Sequence, residues 1–316
     1  MVGRCSSMNK YPVWIDTDTG VDDAIALLTA FKLDKLEVVG ISAVCGNTTH
    51  ENAFRNARNV TYLAGQDIKV YPGSERPLVK PLITSVEAHG ENGLGGAIID
   101  DSPVEKETKK AWDAMYEKAK ELNGELIIIA IGPLTNIAIA IAKHPDFVNY
   151  IKEINIMGGC ADGGNSTPCA EFNIYTDPHA AENVFKSGVH VNMFGLDVTL
   201  KALLTIEQGN EIGALGNKAG DLFKNSTSLM YHLCEAHIQP GLVLHDCCPV
   251  VYVQYPELFK GVDCGVYVET QGTISMGRTC TDIWTDFKYD DRHCTVFLDV
   301  DTEKFAKLVM DIYKSY

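Results

Sequence analysis

No stretch of this 316-residue chain is apolar for long enough to cross a bilayer. Its most apolar run, Leu126 to Ile131, is the length of a strand and well short of the ~20 residues a spanning helix needs. Positive charge is scarce too. Lys plus Arg number 27 against 42 Asp plus Glu, a formal net charge of −15. There is no Lys/Arg run, which argues against nucleic acid or an anionic membrane as partner, since both need clustered positive charge. The ten cysteines form no C-x-x-C pair, so zinc-ribbon and thioredoxin-like motifs are unsupported. Free thiols in a reducing cytosol are expected. Residues 1–10 lack the apolar core of a signal peptide, and a cytoplasmic location is the expectation. A Pro/Ser linker, a composition break and an internal repeat are all missing, so residues 1–316 read as a single domain.

At 46% hydrophobic, the chain can bury a substantial core. Its first two thirds alternate strand-like and helix-like segments. Val13-Trp14-Ile15 leads into a helical pattern over Asp22 to Leu33, and Val38 to Val44 into another over His50 to Leu63. Ile68 to Tyr71 reads as a third strand, 72–103 as a long Gly/Pro-rich loop, and Glu105 to Leu122 as a charged helix. Leu126 to Ile131, Ile154 to Met157 and Val189 to Phe194 read as strands, with helices at Leu134 to Lys143 and Pro178 to Lys186 between them. This alternation predicts an α/β fold with a mostly parallel, doubly wound, Rossmann-like sheet. The C-terminal third adds helical elaborations over Thr205 to Phe259, β structure over Val262 to Asp299 and a closing helix over Thr302 to Tyr313.

In such sheets, ligands bind beyond the carboxyl ends of the strands. The polar residues gather there: Asp16 and Asp18 after the first strand, Asn47 after the second, and Met157-Gly158-Gly159 after the fifth. The densest group is Asp16-Thr17-Asp18-Thr19-Gly20-Val21-Asp22-Asp23, with four carboxylates in eight residues. Like charges so close repel unless a cation sits among them. Helix capping would use one acid, not four. Oxygen-only ligands favour Ca²⁺ or Mg²⁺ over zinc.

The segment Asp16 to Ala24 resembles the N-terminal DxDxGxDDA signature of the nucleoside hydrolases, with Thr19 where the family usually has Pro. The resemblance continues in order. Gly46-Asn47, His89-Gly90-Glu91-Asn92-Gly93-Leu94, Gly132-Pro133-Leu134-Thr135-Asn136 and Met157-Gly158-Gly159 each match a family motif. So do Asn165 to Pro168, Ala170-Glu171-Phe172-Asn173, Gly195 to Thr199 and His245-Asp246. The family implies hydrolysis of ribonucleosides to base and ribose, with calcium as cofactor and a homodimer or homotetramer as the assembly. Asp18, Asp23 and Asp246 would hold Ca²⁺ with the Ile131 carbonyl, and Asp22 would be the general base. Asn47, Met157, Asn165, Glu171 and Asn173 would line the ribose pocket together with the Asp246 ligand, and His89 would sit at the same site. Asp16 would buttress the loop from behind. His245 would protonate the leaving base, as in the inosine–uridine type.

The chemistry asks for such a set on its own terms. An N-glycosidic bond breaks through an oxocarbenium-like state that nearby carboxylates stabilise. A purine leaves poorly unless an acid protonates it. Several of these residues have plainer readings. Glu171 and Asn173 could alternate on a solvated strand, and Asn47 could be a turn residue. Tyr231, His232 and His237 lie where the family carries base-contacting residues, and the sequence does not choose among them. Trp284 would approach the base only if its segment folds over the site. Two rival functions stay open. Asp16-Thr17-Asp18-Thr19 mimics the DxDxT motif of haloacid-dehalogenase-like Mg²⁺ phosphatases, with Asp16 as nucleophile, and a non-enzymatic metal-dependent adhesion module carries a related motif.

Overall fold

Apolar runs that end in Gly, Asn or Asp become strands, and stretches with helical apolar spacing return across the sheet. The computed structural model describes residues 10–283 and 292–316, so Trp284 lies outside the described residues. The first part of the chain runs β1 (Tyr11–Thr17), α1 (Val21–Ala30), β2 (Leu36–Ala43), α2 (His50–Leu63), β3 (Val70–Pro72) and α3 (Val86–His89). It continues through α4 (Ala111–Leu122), β4 (Leu126–Ala130), α5 (Thr135–Lys143), β5 (Ile151–Met157), α6 (Phe172–Thr176), α7 (Pro178–Phe185), β6 (Val191–Phe194) and α8 (Leu196–Thr199). The last part holds β7 (Leu203–Leu204), α9 (Ile206–Gly213), α10 (Lys218–Ser226), α11 (Ser228–Glu235), β8 (Leu242–Val243) and α12 (Cys247–Gln254). It closes with β9 (Phe259–Cys264), β10 (Val266–Val268), β11 (Thr279–Thr281), β12 (Cys294–Val300) and α13 (Thr302–Lys314).

Among the described residues, eight strands form one sheet in the order β3-β2-β1-β4-β5-β6-β12-β9. Its neighbours pair in parallel except β12 with β9. The strand order reverses between β1 and β4. At such a switch point the connections leave toward opposite faces and open a crevice at the carboxyl ends. Residues 16–23 and 131–136 leave the sheet at this crevice.

Helices cover both faces, which is why β4, Leu-Ile-Ile-Ile-Ala, is buried throughout. One core packs Leu27, Leu28, Val251 and Phe305, and the other Trp14, Met115, Phe147 and Phe185. Each such side chain contributes ~1.5–3 kcal/mol when fully buried.

Three expectations need correction. The charged helix begins at Ala111, because 105–110 offers no apolar side chain to seat. The helical stretch after Thr205 is interrupted by β8, which pairs with β7. Glu171 and Asn173 do not alternate on a strand. Glu171 caps α6, accepting the Asn173 and Ile174 N–H groups, and both residues are buried.

Asn136 latches the crevice. Its Nδ2 donates to Asp16 Oδ1 (2.8 Å) and to the Ala43 carbonyl (3.1 Å), while its Oδ1 accepts from the Ser74 N–H (2.8 Å). One buried side chain thus ties the ends of β1 and β2 and the turn after β3 to α5. Asn136→Leu leaves those partners unpaired, at ~1–3 kcal/mol each. The expected outcome is a loss of ~2 kcal/mol or more in urea unfolding, and a loss under ~0.5 kcal/mol would refute the latch.

Candidate active site

The acidic turn is shaped by close approaches. A Cβ on Gly20 would lie 2.4 Å from His89 Nδ1 and 2.9 Å from Asn47 Nδ2. One on Gly46 would lie 2.1 Å from Asp18 Oδ2. Glycine at both positions lets two loops and a carboxylate meet. Asp23 is tied into the turn: its Oδ2 accepts the Gly20 N–H and Asn47 Nδ2, both at 2.9 Å, and its Oδ1 accepts Thr17 Oγ1 at 2.6 Å. Asp18 Oδ2 accepts the Asn47 N–H at 2.6 Å. Asn47 therefore holds two acids at once, one by backbone and one by side chain.

Three carboxylate oxygens lack such partners. Asp16 Oδ2, Asp18 Oδ1 and Asp246 Oδ2 are buried with no hydrogen bond. Oxygens of Asp22, Asp23 and Asp246 all lie within 4.8 Å of one another. Asp18, expected as a ligand, is not in that trio; it is fully buried, and a Cβ on Gly132 would lie 2.8 Å from its Oδ1. Burial and mutual repulsion raise the Asp18 and Asp246 carboxyls well above their ordinary range, and burial raises Asp22 and Asp23. Two imidazoles, His89 and His245, could offset this charge, but burial lowers both below the ordinary histidine range. An all-oxygen cluster with orphaned, buried acceptors fits a hard divalent cation.

Above the cluster opens a cavity of about 560 Å³. Asp22, Asn47, His89, Ile131, Met157, Asn165, Glu171, Asn173, His245 and Asp246 all line it, drawn from segments far apart in sequence. Asn173 Nδ2 donates to the carbonyls of Met157 (3.1 Å) and Ile131 (3.3 Å). Glu171 accepts three backbone N–H groups, from Gly159, Asn173 and Ile174. Burial nevertheless outweighs them and pushes its carboxyl up to about 7. His89 Nδ1 accepts the Val21 N–H at 3.1 Å and stands 4.0 Å from Asp22 Oδ1.

The far wall differs from expectation. Tyr231, His232 and His237 do not line this cavity; Leu229, Met230 and Leu233 of α11 do. On a helix, residues 229, 230 and 233 share one face, and that face is turned inward. Phe172, Tyr175 and Ile83 also line the cavity, and sequence reading missed them as cavity residues. Apolar spacing on α11 was the one signal for its contribution.

The phosphatase alternative falls on geometry. Asp16 cannot act as a phosphatase nucleophile: it is fully buried below the cavity, bonded to Ser42 and Asn136, and raised to about 7 by burial. Cys247 and Cys248 are fully buried in the core, with Cys247 pushed up to about 12, so neither is a nucleophile.

The family described as inosine-uridine preferring nucleoside hydrolase matches residues 13–307. The pyrimidine-specific ribonucleoside hydrolase RihA of Shigella boydii serotype 4 is 39% identical over 310 residues, covering 96% of this chain and 99% of that protein. Among solved structures, a plant nucleoside hydrolase, PpNRh1, superposes with a TM-score of 0.90 at 30% identity, covering 97% and 99% of the two chains. A purine-preferring ribonucleoside hydrolase from Gardnerella vaginalis gives 0.89 at 32% identity, covering 96% and 100%. The fold and the site define an N-ribohydrolase. This chain belongs to the nucleoside hydrolase family.

Crowded, unpaired carboxylates destabilise a metal-free fold. Asp246→Asn removes one of those charges. In chelator the variant is expected to melt at or above the wild-type temperature. Added divalent cation should raise the wild-type midpoint and leave the variant nearly unmoved. Equal cation-induced shifts in both proteins would exclude Asp246 from the site.

Proposed function

We propose that this chain hydrolyses the N-glycosidic bond of ribonucleosides in a calcium-dependent reaction, releasing free base and ribose. One observation carries the reading. Ten predicted residues converge on one cavity that is carboxylate-rich at its floor and apolar along α11. A ribonucleoside has the matching polarity, with a hydroxyl-rich sugar at one end and a flat base at the other.

Asp18, Asp23 and Asp246, with the Ile131 carbonyl, are the groups that would hold the metal. Calcium suits such a set because it accepts ~6–8 oxygens in irregular geometry. When bound, the cation would supply the positive charge this cluster lacks and would orient the sugar hydroxyls. The chain's own groups carry the remaining steps. Asp22 takes a proton from the attacking water, and its raised pKa makes it a better base near neutrality. His89 lines the same cavity beside Asp22 and belongs with the substrate-binding residues. Asn47, Met157, Asn165 and Asn173 line the sugar half. Glu171 adds negative charge that stabilises the oxocarbenium-like ribosyl group. His245 passes a proton to the departing base. A histidine in that role supports the inosine–uridine type of preference.

Asp22→Asn is expected to keep its fold and lose ~10²–10⁴-fold in kcat, the usual contribution of a general base. Retention of more than about a tenth of wild-type kcat in a ribose-release assay would remove Asp22 from that role. Chelation is expected to abolish activity, with calcium restoring it and zinc failing to do so. Full turnover after exhaustive chelation would overturn the metal requirement.

A further inference from the structure

His245 reaches the cavity through a pairing that no motif spells out. After β6 the chain turns through α8, which ends at the fully buried Thr199. β7 then runs antiparallel to β8, with Leu203 opposite Val243 and Leu204 opposite Leu242. The Leu244 N–H donates to the Ala202 carbonyl at 2.9 Å, which extends the ladder by one more bond. This register brings Thr199 Oγ1 to 2.8 Å from His245 Nδ1.

The group that meets Nδ1 decides what the imidazole can do. A carboxylate at Nδ1 would accept, leaving the other nitrogen as a base, as in hydrolase triads. A hydroxyl can donate. Among the described residues Thr199 Oγ1 has no other hydrogen-bond partner, and the nearby Gly195 carbonyl already accepts the Thr199 and Val198 N–H groups. A hydroxyl both donates and accepts, so Thr199 Oγ1 can give its proton to Nδ1 of the neutral ring and can accept the Nδ1–H of the protonated one. Nε2 is the edge left for the cavity, which His245 lines beside Asp22.

We propose that Thr199 is the positioning residue for His245, anchoring the Nδ1 edge of the ring so that Nε2 is left to the cavity, where the protonated ring can give its Nε2 proton to the leaving base and return to neutral. The proposal rests on His245 being that donor.

A double-mutant cycle on the full-length protein tests it, with kcat and KM read from ribose release on inosine and on uridine. On whichever nucleoside loses most in His245→Ala, Thr199→Val is expected to lower kcat about tenfold, the worth of one buried hydrogen bond, with KM within about twofold. Thr199→Ser, which keeps the hydroxyl, should recover wild-type kcat within about twofold. In a His245→Ala background, Thr199→Val should cost nothing further, because the interaction it breaks is already gone. A purely structural effect would add in both backgrounds. Equal losses in the two backgrounds overturn the proposal, as does wild-type kcat in Thr199→Val beside a damaged His245→Ala. Wild-type kcat in His245→Ala removes the proton-donor reading itself, and this inference falls with it. Thr199→Ala replaces Thr199→Val in the cycle if the valine variant does not fold.

Discussion

Like charge buried at the carboxyl edge of a parallel sheet is the constraint on which this structure turns. Asp16, Asp18, Asp23 and Asp246 are all nearly inaccessible, and Asp22 lies just above them. Isolated carboxylates in such surroundings would abandon their charge or unfold the protein. Here each is handled differently. Asp16 is satisfied on one oxygen by Ser42 and Asn136, and Asp23 is held by Thr17, Gly20 and Asn47. Asp16, Asp18 and Asp246 keep one oxygen each with no hydrogen-bond partner among the described residues. Of the three, Asp246 is the one that lines the cavity.

The fold makes this arrangement possible because strand order reverses between β1 and β4. Loops leaving the two strands diverge, and the gap is lined by backbone that is not committed to the sheet. Gly20 and Gly46 then allow the neighbouring segments to touch the acids directly. Asn136 and Asn47 lock those segments by bonding to more than one at a time. Rigidity at the acidic end contrasts with the opposite wall, where α11 contributes only Leu229, Met230 and Leu233. Directional bonds fix the acidic end, and apolar side chains shape the other.

Local signals decided much of this. Apolar runs punctuated by Gly and Asp marked the parallel strands. The spacing of His50 to Leu63 matched α2 end to end, because its Thr49 cap and apolar face agree. The acidic turn announced itself, since four carboxylates in eight residues have no ordinary structural use. Glu171 and Asn173 were misjudged as a possible strand face. A two-residue alternation is compatible with either period, and only the capping bonds of Glu171 decide for the helix.

What the sequence determined by itself is the α/β class, the family and the identity of the polar residues, because these reside in short contiguous patterns. The tertiary structure decided which of them share one cavity and in what order they stack: Asp22 above, Asp18 beneath, Asp16 out of reach. It also turned Leu229 and Leu233 inward rather than Tyr231, His232 or His237, and paired Thr199 with a histidine 46 positions away. Such facts depend on strand register and helix rotation. A one-residue slip in β7 against β8 would move Thr199 away from His245 without changing any local preference. Register is set by the packing of the whole, and no window of sequence contains it.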